Sequence, residues 1–236
     1  MRLICALLLL LSFKSNAQYP FENYPAITYK KIKITQGYTV KDTTFIASVI
    51  YKNYNISFTQ SNYSDSAKLT LKYKGRLVHS LKIESINPLT LNDTLYAADI
   101  DGNGNIDFKL IFYNNGSGLA GSLLHKLYLF NNGHNRFNSF YYTDFSSFVE
   151  RDMNKDGNYE IIGDVLTRYK GHSYWTFNLY NYSKKGKLLN VNQILNYPIL
   201  VQYLNRDNYQ ITNKLSRKEM KFFTLSYPDY FKSKTN

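Results

Sequence analysis

Cysteine is nearly missing from this chain: Cys5 is the one thiol in 236 residues. It sits in a leading segment that reads as removable, near the start of that segment's apolar run and not after it, which makes it a poor lipid-attachment site. Once the segment is gone, disulfides, cysteine–zinc centres and cysteine nucleophiles are excluded. Long apolar runs are missing too. The run at 3–11 falls far short of the ~20 residues that a membrane-spanning helix needs. Arg2 precedes it, and Ser15-Asn16-Ala17 follows with a small-x-small end before Gln18. That is the pattern of a secretory signal peptide. Residues 1–17 are therefore expected to be a signal peptide. The chain is expected to be exported and to be periplasmic, cell-surface or secreted, with no transmembrane segment after signal removal.

Strong helix patterns are also absent. Ala and Glu are few, whereas tyrosine (23) and phenylalanine (15) are frequent, a composition that favours strands. Residues 18–30 are rich in Pro and Tyr and read as an extended lead-in. Residues 31–236 read as a single β-repeat domain, long enough to bury a full core. Segments 43–51, 68–73, 77–83, 108–113, 126–130, 159–166, 175–182 and 199–204 read as strands. They are short, β-branched or aromatic, and separated by Asn, Gly and Ser. Short-helix candidates are confined to 188–195 and 213–221.

Acidic residues are outnumbered, 17 against 29 Lys and Arg. Losing Arg2 and Lys14 with the signal leaves 27 basic against 17 acidic residues, a net charge of +10. That sign suits an anionic partner. With no dense basic run beyond Lys184-Lys185-Gly186-Lys187, it reads first as a lysine-decorated soluble surface. Export argues against nucleic acid. The acids are unevenly spread: four of the 17 fall in 93–107 and six in 144–164.

Those two windows hold two similar loops. The first runs Asp99-Ile100-Asp101-Gly102-Asn103-Gly104-Asn105-Ile106-Asp107, and the second Asp152-Met153-Asn154-Lys155-Asp156-Gly157-Asn158-Tyr159-Glu160. Both place oxygen side chains at positions 1, 3, 5 and 9 and glycine at position 6. A tight loop can aim alternate side chains at one point, and glycine permits the positive φ that reverses the chain. The position-7 carbonyl (Asn105, Asn158) can then turn inward as a further ligand. Calcium wants such an all-oxygen shell of six to eight ligands, whereas magnesium dehydrates reluctantly and demands octahedral geometry. Zinc and copper want His or Cys, which neither loop has. The expected metal ligands are Asp99, Asp101, Asn103, Asn105 and Asp107, and Asp152, Asn154, Asp156, Asn158 and Glu160. The cofactor they imply is calcium.

Both loops match the first half of an EF-hand loop and lack its second half, because position 12 is Leu110 or Gly163 where a bidentate Glu belongs. The last acidic ligand has moved to position 9 and runs into an apolar strand. This arrangement resembles the calcium loops of integrin-type FG-GAP and VCBS repeats. Loop 152–160 follows their pattern closely. Loop 99–107 departs from it at Asn103 and at the extra glycine, Gly102. The resemblance implies a β-propeller with structural calcium. For a chain of this length that means a small or incomplete β-propeller of roughly 50-residue antiparallel blades, or a relative of periplasmic calcium-binding lysozyme-inhibitor folds. An internal period fits: Asp99 and Asp152 are 53 residues apart, and Leu127-Tyr128-Leu129-Phe130 lies 52 before Leu179-Tyr180-Asn181-Tyr182. A degraded third copy is expected at 205–211.

Other constellations read as bland. Gly116-Ser117-Gly118-Leu119-Ala120-Gly121 matches a dinucleotide fingerprint in letters only, because a short run into a strand follows it. His79, His125, His134 and His172 have no metal or triad spacing and read as turn or surface residues. Asp144, Glu150 and Asp164 read as groups supporting the second loop or as solvated turn residues, with a glycosidase carboxylate pair as the sharper alternative. Tyr169, Tyr174, Trp175 and Phe177 read as packed strand aromatics before a sugar platform. The chain is thus expected to be a calcium-binding module for a protein or a glycan and not an enzyme. The alternatives are a periplasmic inhibitor of a wall-degrading enzyme and a glycoside hydrolase.

Overall fold

A computed structural model describes residues 20–39, 44–61, 66–84, 92–113, 117–183, 185–204, 211 and 213–234. The expected signal peptide, Gly116 and nearly all of the expected third copy lie outside them. β1 (Lys30–Lys33) precedes a meander of β2 (Thr35–Thr39), β3 (Thr44–Tyr51), β4 (Tyr54–Ser61), β5 (Ser66–Tyr73) and β6 (Arg76–Glu84), which pair in sequence order as a five-stranded sheet. A second meander, β7 (Thr94–Ala98), β8 (Asp107–Tyr113), β9 (Leu124–Asn131) and β10 (Phe137–Asp144), takes β1 along its β7 edge. A third sheet holds β11 (Ile161–Tyr169), β12 (His172–Tyr182), β13 (Leu188–Asn190) and β14 (Ile199–Gln202), with β13 and β14 both pairing β12. The short β15 (Lys232–Lys234) closes the β10 edge of the second sheet, giving six strands. Hairpin geometry is set locally. Lys74-Gly75 and Lys170-Gly171 put both turn residues at positive φ, the two-residue turn that matches strand twist.

The central strands of the six-stranded sheet, β8, β9 and β10, are buried on both faces. On one face Leu95, Phe108, Leu110, Phe112, Leu127 and Leu129 meet Phe45, Val49, Phe58, Leu69, Leu71 and Ile83 of the five-stranded sheet. On the other, Tyr128, Phe130, Phe140 and Tyr142 meet Ile161, Tyr180, Tyr182 and Leu188 of the four-stranded sheet. This explains why all eight residues of β10 are buried, whereas β3, with one covered face, alternates. The far face of the four-stranded sheet carries Ile162, Phe177 and Leu179, which pack with Phe21, Met153 and Tyr197.

The all-β, antiparallel expectation is met, and each of the eight expected strands has a counterpart. The three sheets are open, with six, four and five strands. Two expectations are corrected. Segment 188–195 is a short strand, β13, followed by turns, because Asn190 and Asn192 bond to neighbouring backbone and amides instead of continuing a helix. The lead-in is not merely extended: Pro20–Asn23 is a 3-10 turn that inserts Phe21 into the core. Segment 213–221 does hold one helical turn, Arg217–Met220, closed by a reciprocal Ser216–Glu219 capping box.

Candidate functional site

Loop 99–107 joins β7 to β8, and loop 152–160 leads into β11. Each is pinched at its base in the same way: Ala98 pairs with Asp107, and Arg151 bridges to Glu160. Their internal hydrogen bonds correspond position by position. The position-1 carboxylate accepts from the amides of positions 5 and 6, Asn103 and Gly104 on Asp99 (3.0 and 2.8 Å), Asp156 and Gly157 on Asp152 (3.1 and 3.2 Å). The position-9 carboxylate accepts from the position-2 amide, Ile100 to Asp107 and Met153 to Glu160, each at 2.8 Å. Position 4 has positive φ in both loops, Gly102 at 69° and Lys155 at 63°, and so does position 6, with Gly104 and Gly157 both at 82°. The loops also touch, through Tyr159 N–H donating to Ile100 O at 2.9 Å.

Asp99, Asp101 and Asp107 converge, with one carboxylate oxygen of each within 4.8 Å of the others. Asp107 is fully buried and Asp101 nearly so. Burial, with the charge of Asp99, pushes the Asp101 carboxyl up to about 6. Burial and the Asp101 charge push Asp107 well above the usual carboxylate range. No Lys or Arg neutralises this trio among the described residues, whose three ion pairs lie elsewhere. Three crowded carboxylates without a basic partner suit a cation, and an all-oxygen donor set suits a hard one.

Not every expected ligand joins them. Asn103 donates from its amide nitrogen to Asp101 (3.0 Å) and to Asn131 O (2.9 Å), and its oxygen accepts from the Asn105 backbone (2.7 Å). Asn105 donates to the same Asn103 oxygen. In the second loop Asn154 ties back to Asp156, and Asn158 donates to Tyr182 O at 3.0 Å while its own oxygen is buried without a partner. Glu160 is buried, and its carboxyl is pushed up to about 7 by that burial, with Asp156 and Asp152 adding to it. Among the described residues only 99–107 brings three acidic side chains together this tightly.

Asp144, Glu150 and Asp164 are corrected: all three are buried, not solvated. Glu150 accepts from Lys109 Nζ (2.6 Å), Tyr29 Oη (2.6 Å) and Tyr128 Oη. Burial works against its charge, but Lys109 and the two hydroxyls hold its carboxyl below the usual range. Asp144 accepts from Lys126 Nζ (2.5 Å) and from the amides of Phe145 and Asp164. Asp164 accepts from Ser146 Oγ at 2.7 Å. The sequence marks Lys126 and Tyr128 only as members of a strand and a repeat, and it does not mark Lys109 or Tyr29 as site residues. The available signal is a lysine inside an otherwise apolar strand, as in Phe108-Lys109-Leu110-Ile111-Phe112.

The histidines are corrected in part. His79 is a buried strand residue hydrogen-bonded to Ser139 Oγ at 3.0 Å, and His125 lies on β9. Tyr174 and Phe177 are core residues, and Trp175 packs edge-to-face with Phe145 and Tyr203.

The Asp144 geometry has a pH signature. Burial pushes its carboxyl from 3.8 up to about 6, against the pull of Lys126. The folded state then binds a proton that the unfolded state releases, so this contribution to stability is full below about pH 4 and is lost as pH rises towards 6. Asp144→Asn is expected to remove that slope, read as the difference between wild-type and variant urea midpoints from pH 4 to 7.

The chain matches no protein-family model, and no curated protein and no solved structure is significantly similar to it.

Proposed function

We propose that the chain is an exported β protein that binds calcium in its acidic loops, where the metal is structural, and that presents a surface for a protein or glycan partner. The observation that carries the metal reading is the convergence of Asp99, Asp101 and Asp107 without a basic partner among the described residues. A cation there would tie the start of β8 to the β7–β8 turn. Loop 152–160 would hold a second ion through Asp152, Asn154, Asp156 and Glu160. The resemblance to FG-GAP and VCBS loops supports calcium over other hard cations. The matching loop hydrogen bonds favour reading loop–β8–β9–β10 and loop–β11–β12–β13 as two blade-like copies. Hydrolysis is less well supported, because Asp144 and Glu150 are each committed to a buried lysine.

With calcium at ~1 mM and Kd at ~10–100 μM, linkage gives about 1.4–2.7 kcal/mol per site. That corresponds to a Tm rise of roughly 3–10 °C for a domain of this size. The expected result is a calcium-dependent Tm that magnesium reproduces weakly. Asp101→Asn is expected to melt at or above wild type in chelator, since it relieves repulsion, and to lose the calcium increment of the first loop. Identical melting in calcium and chelator overturns the reading.

A further inference from the structure

Side chains on one face of the six-stranded sheet form a cross-strand row that alternates in character. Lys31 on β1 pairs with Tyr96 on β7, Tyr96 with Lys109 on β8, and Lys109 with Tyr128 on β9. The inner end of the row is buried, with Lys109 between the rings of Tyr29 and Tyr128 at 5.6 and 5.5 Å and its charge matched by Glu150. The outer end is not covered by the four-stranded sheet. It lines a cleft of about 480 Å³, within the range of ligand sites.

The cleft has a defined chemistry. Tyr29 and Tyr96 meet edge-to-face at 5.5 Å, and half-exposed Tyr113 joins them in its wall. Asn92 donates to Tyr96 Oη at 3.3 Å, fixing that ring at the rim. Lys31 is exposed, lies 6.0 Å over the Tyr96 ring and makes no ion pair among the described residues. Acidic side chains do not line the cleft among those residues. Tyrosine offers an apolar face beside a polar edge. A sugar ring is complementary to that pair, with C–H groups on its face and hydroxyls round its rim. The unpaired lysine adds a place for a negative charge, in a chain whose formal net charge is +12.

We propose that this cleft binds an acidic sugar, its ring stacked on Tyr96 and its carboxylate or sulfate on Lys31. The proposal deepens the partner half of the function given above and stands on residues separate from the metal loops. Calorimetry on the full chain with a uronic-acid trisaccharide, a sulfated trisaccharide and a neutral trisaccharide tests it. Either acidic sugar is expected to bind, the tighter one identifying the acid group, with the neutral sugar at least about tenfold weaker. Tyr96→Ala and Lys31→Ala should each weaken binding about tenfold, the loss of one anchoring contact, whereas Lys72→Ala on the five-stranded sheet should not.

No binding by either acidic sugar, or binding that Lys72→Ala reduces as much as Lys31→Ala while Tyr96→Ala leaves it intact, overturns the proposal. The second pattern is that of surface charge alone. A chain that calcium stabilises but that binds no acidic sugar removes the cleft proposal only. A chain that binds the sugar but melts alike in calcium and chelator removes the metal reading only.

Discussion

Glu150→Ala is expected to destabilise the fold by about 3–5 kcal/mol, the cost of leaving a buried charge without its partner. Three donors converge on that carboxylate: Lys109 Nζ, Tyr29 Oη and Tyr128 Oη. Both members of the ion pair are almost fully excluded from solvent. Truncation strands all three donors and opens a cavity at the centre of the Lys–Tyr row. Glu150→Gln keeps an acceptor for the hydroxyls and is expected to cost less than Ala. The reverse truncation, Lys109→Ala, should approach the Glu150→Ala value, and the double variant should cost less than the sum of the two, because the remaining unpaired charge is what each single variant is charged for. The exposed pair Lys170–Glu219 is the control. Lys170→Ala should leave the urea midpoint unchanged, since solvent screens such a pair. Equal effects at Lys109 and Lys170 would show that burial is not what makes the inner pair matter.

The row that carries this effect was the least legible part of the sequence. The partners of Lys109 and Lys126 lie 41 and 18 residues away, across strand order that local pattern does not encode. The strands were legible where β-branched or aromatic runs are bracketed by turn residues, as at β5, β6 and β12. β4 and β10 were missed because their letters are mixed: Tyr54-Asn55-Ile56-Ser57 and Phe137-Asn138-Ser139-Phe140 do not read as core. In β10 the polar residues are buried anyway, because each finds a distant partner, such as Asn138 on Tyr182 Oη at 2.8 Å. The acidic loops were legible from spacing alone. Their ranking was not. Loop 152–160 fits the family pattern better, yet the compact carboxylate trio lies in 99–107. Both loops hold three acids, at positions 1, 3 and 9 in the first (Asp99, Asp101, Asp107) and at 1, 5 and 9 in the second (Asp152, Asp156, Glu160), and among the described residues only the first spacing gathers them. Gly102, which read as a departure from the pattern, turns out to mark the contact between the loops.

That contact sets the second large effect. A Cβ built on Gly102 would lie 2.5 Å from Gly157 O and 2.8 Å from Gly157 C. Both are backbone atoms of the neighbouring loop and cannot swing aside. Its φ of 69° adds the left-handed penalty of about 1–2 kcal/mol for a residue with a side chain. Overpacking adds about 1–3 kcal/mol. Gly102→Ala is therefore expected to cost about 2–5 kcal/mol in total. Gly104→Ala separates the two causes. Its φ is 82° but nothing lies within 4 Å of the added carbon, so only the backbone penalty applies. Lys155 occupies the matching position of the second loop, at φ 63° and exposed, so Lys155→Gly should be neutral or mildly stabilising. Urea midpoints give this order directly. Calcium titration of the same variants adds a second readout. Displacing Gly102 from Gly157 strains both loops, including the Tyr159–Ile100 hydrogen bond between them. If the loops hold calcium as proposed, Gly102→Ala should weaken binding at both, whereas Gly104→Ala should weaken it at the first alone. If Gly102→Ala proved no more costly than Gly104→Ala, the close approach of the two loops would not be a feature of the folded chain.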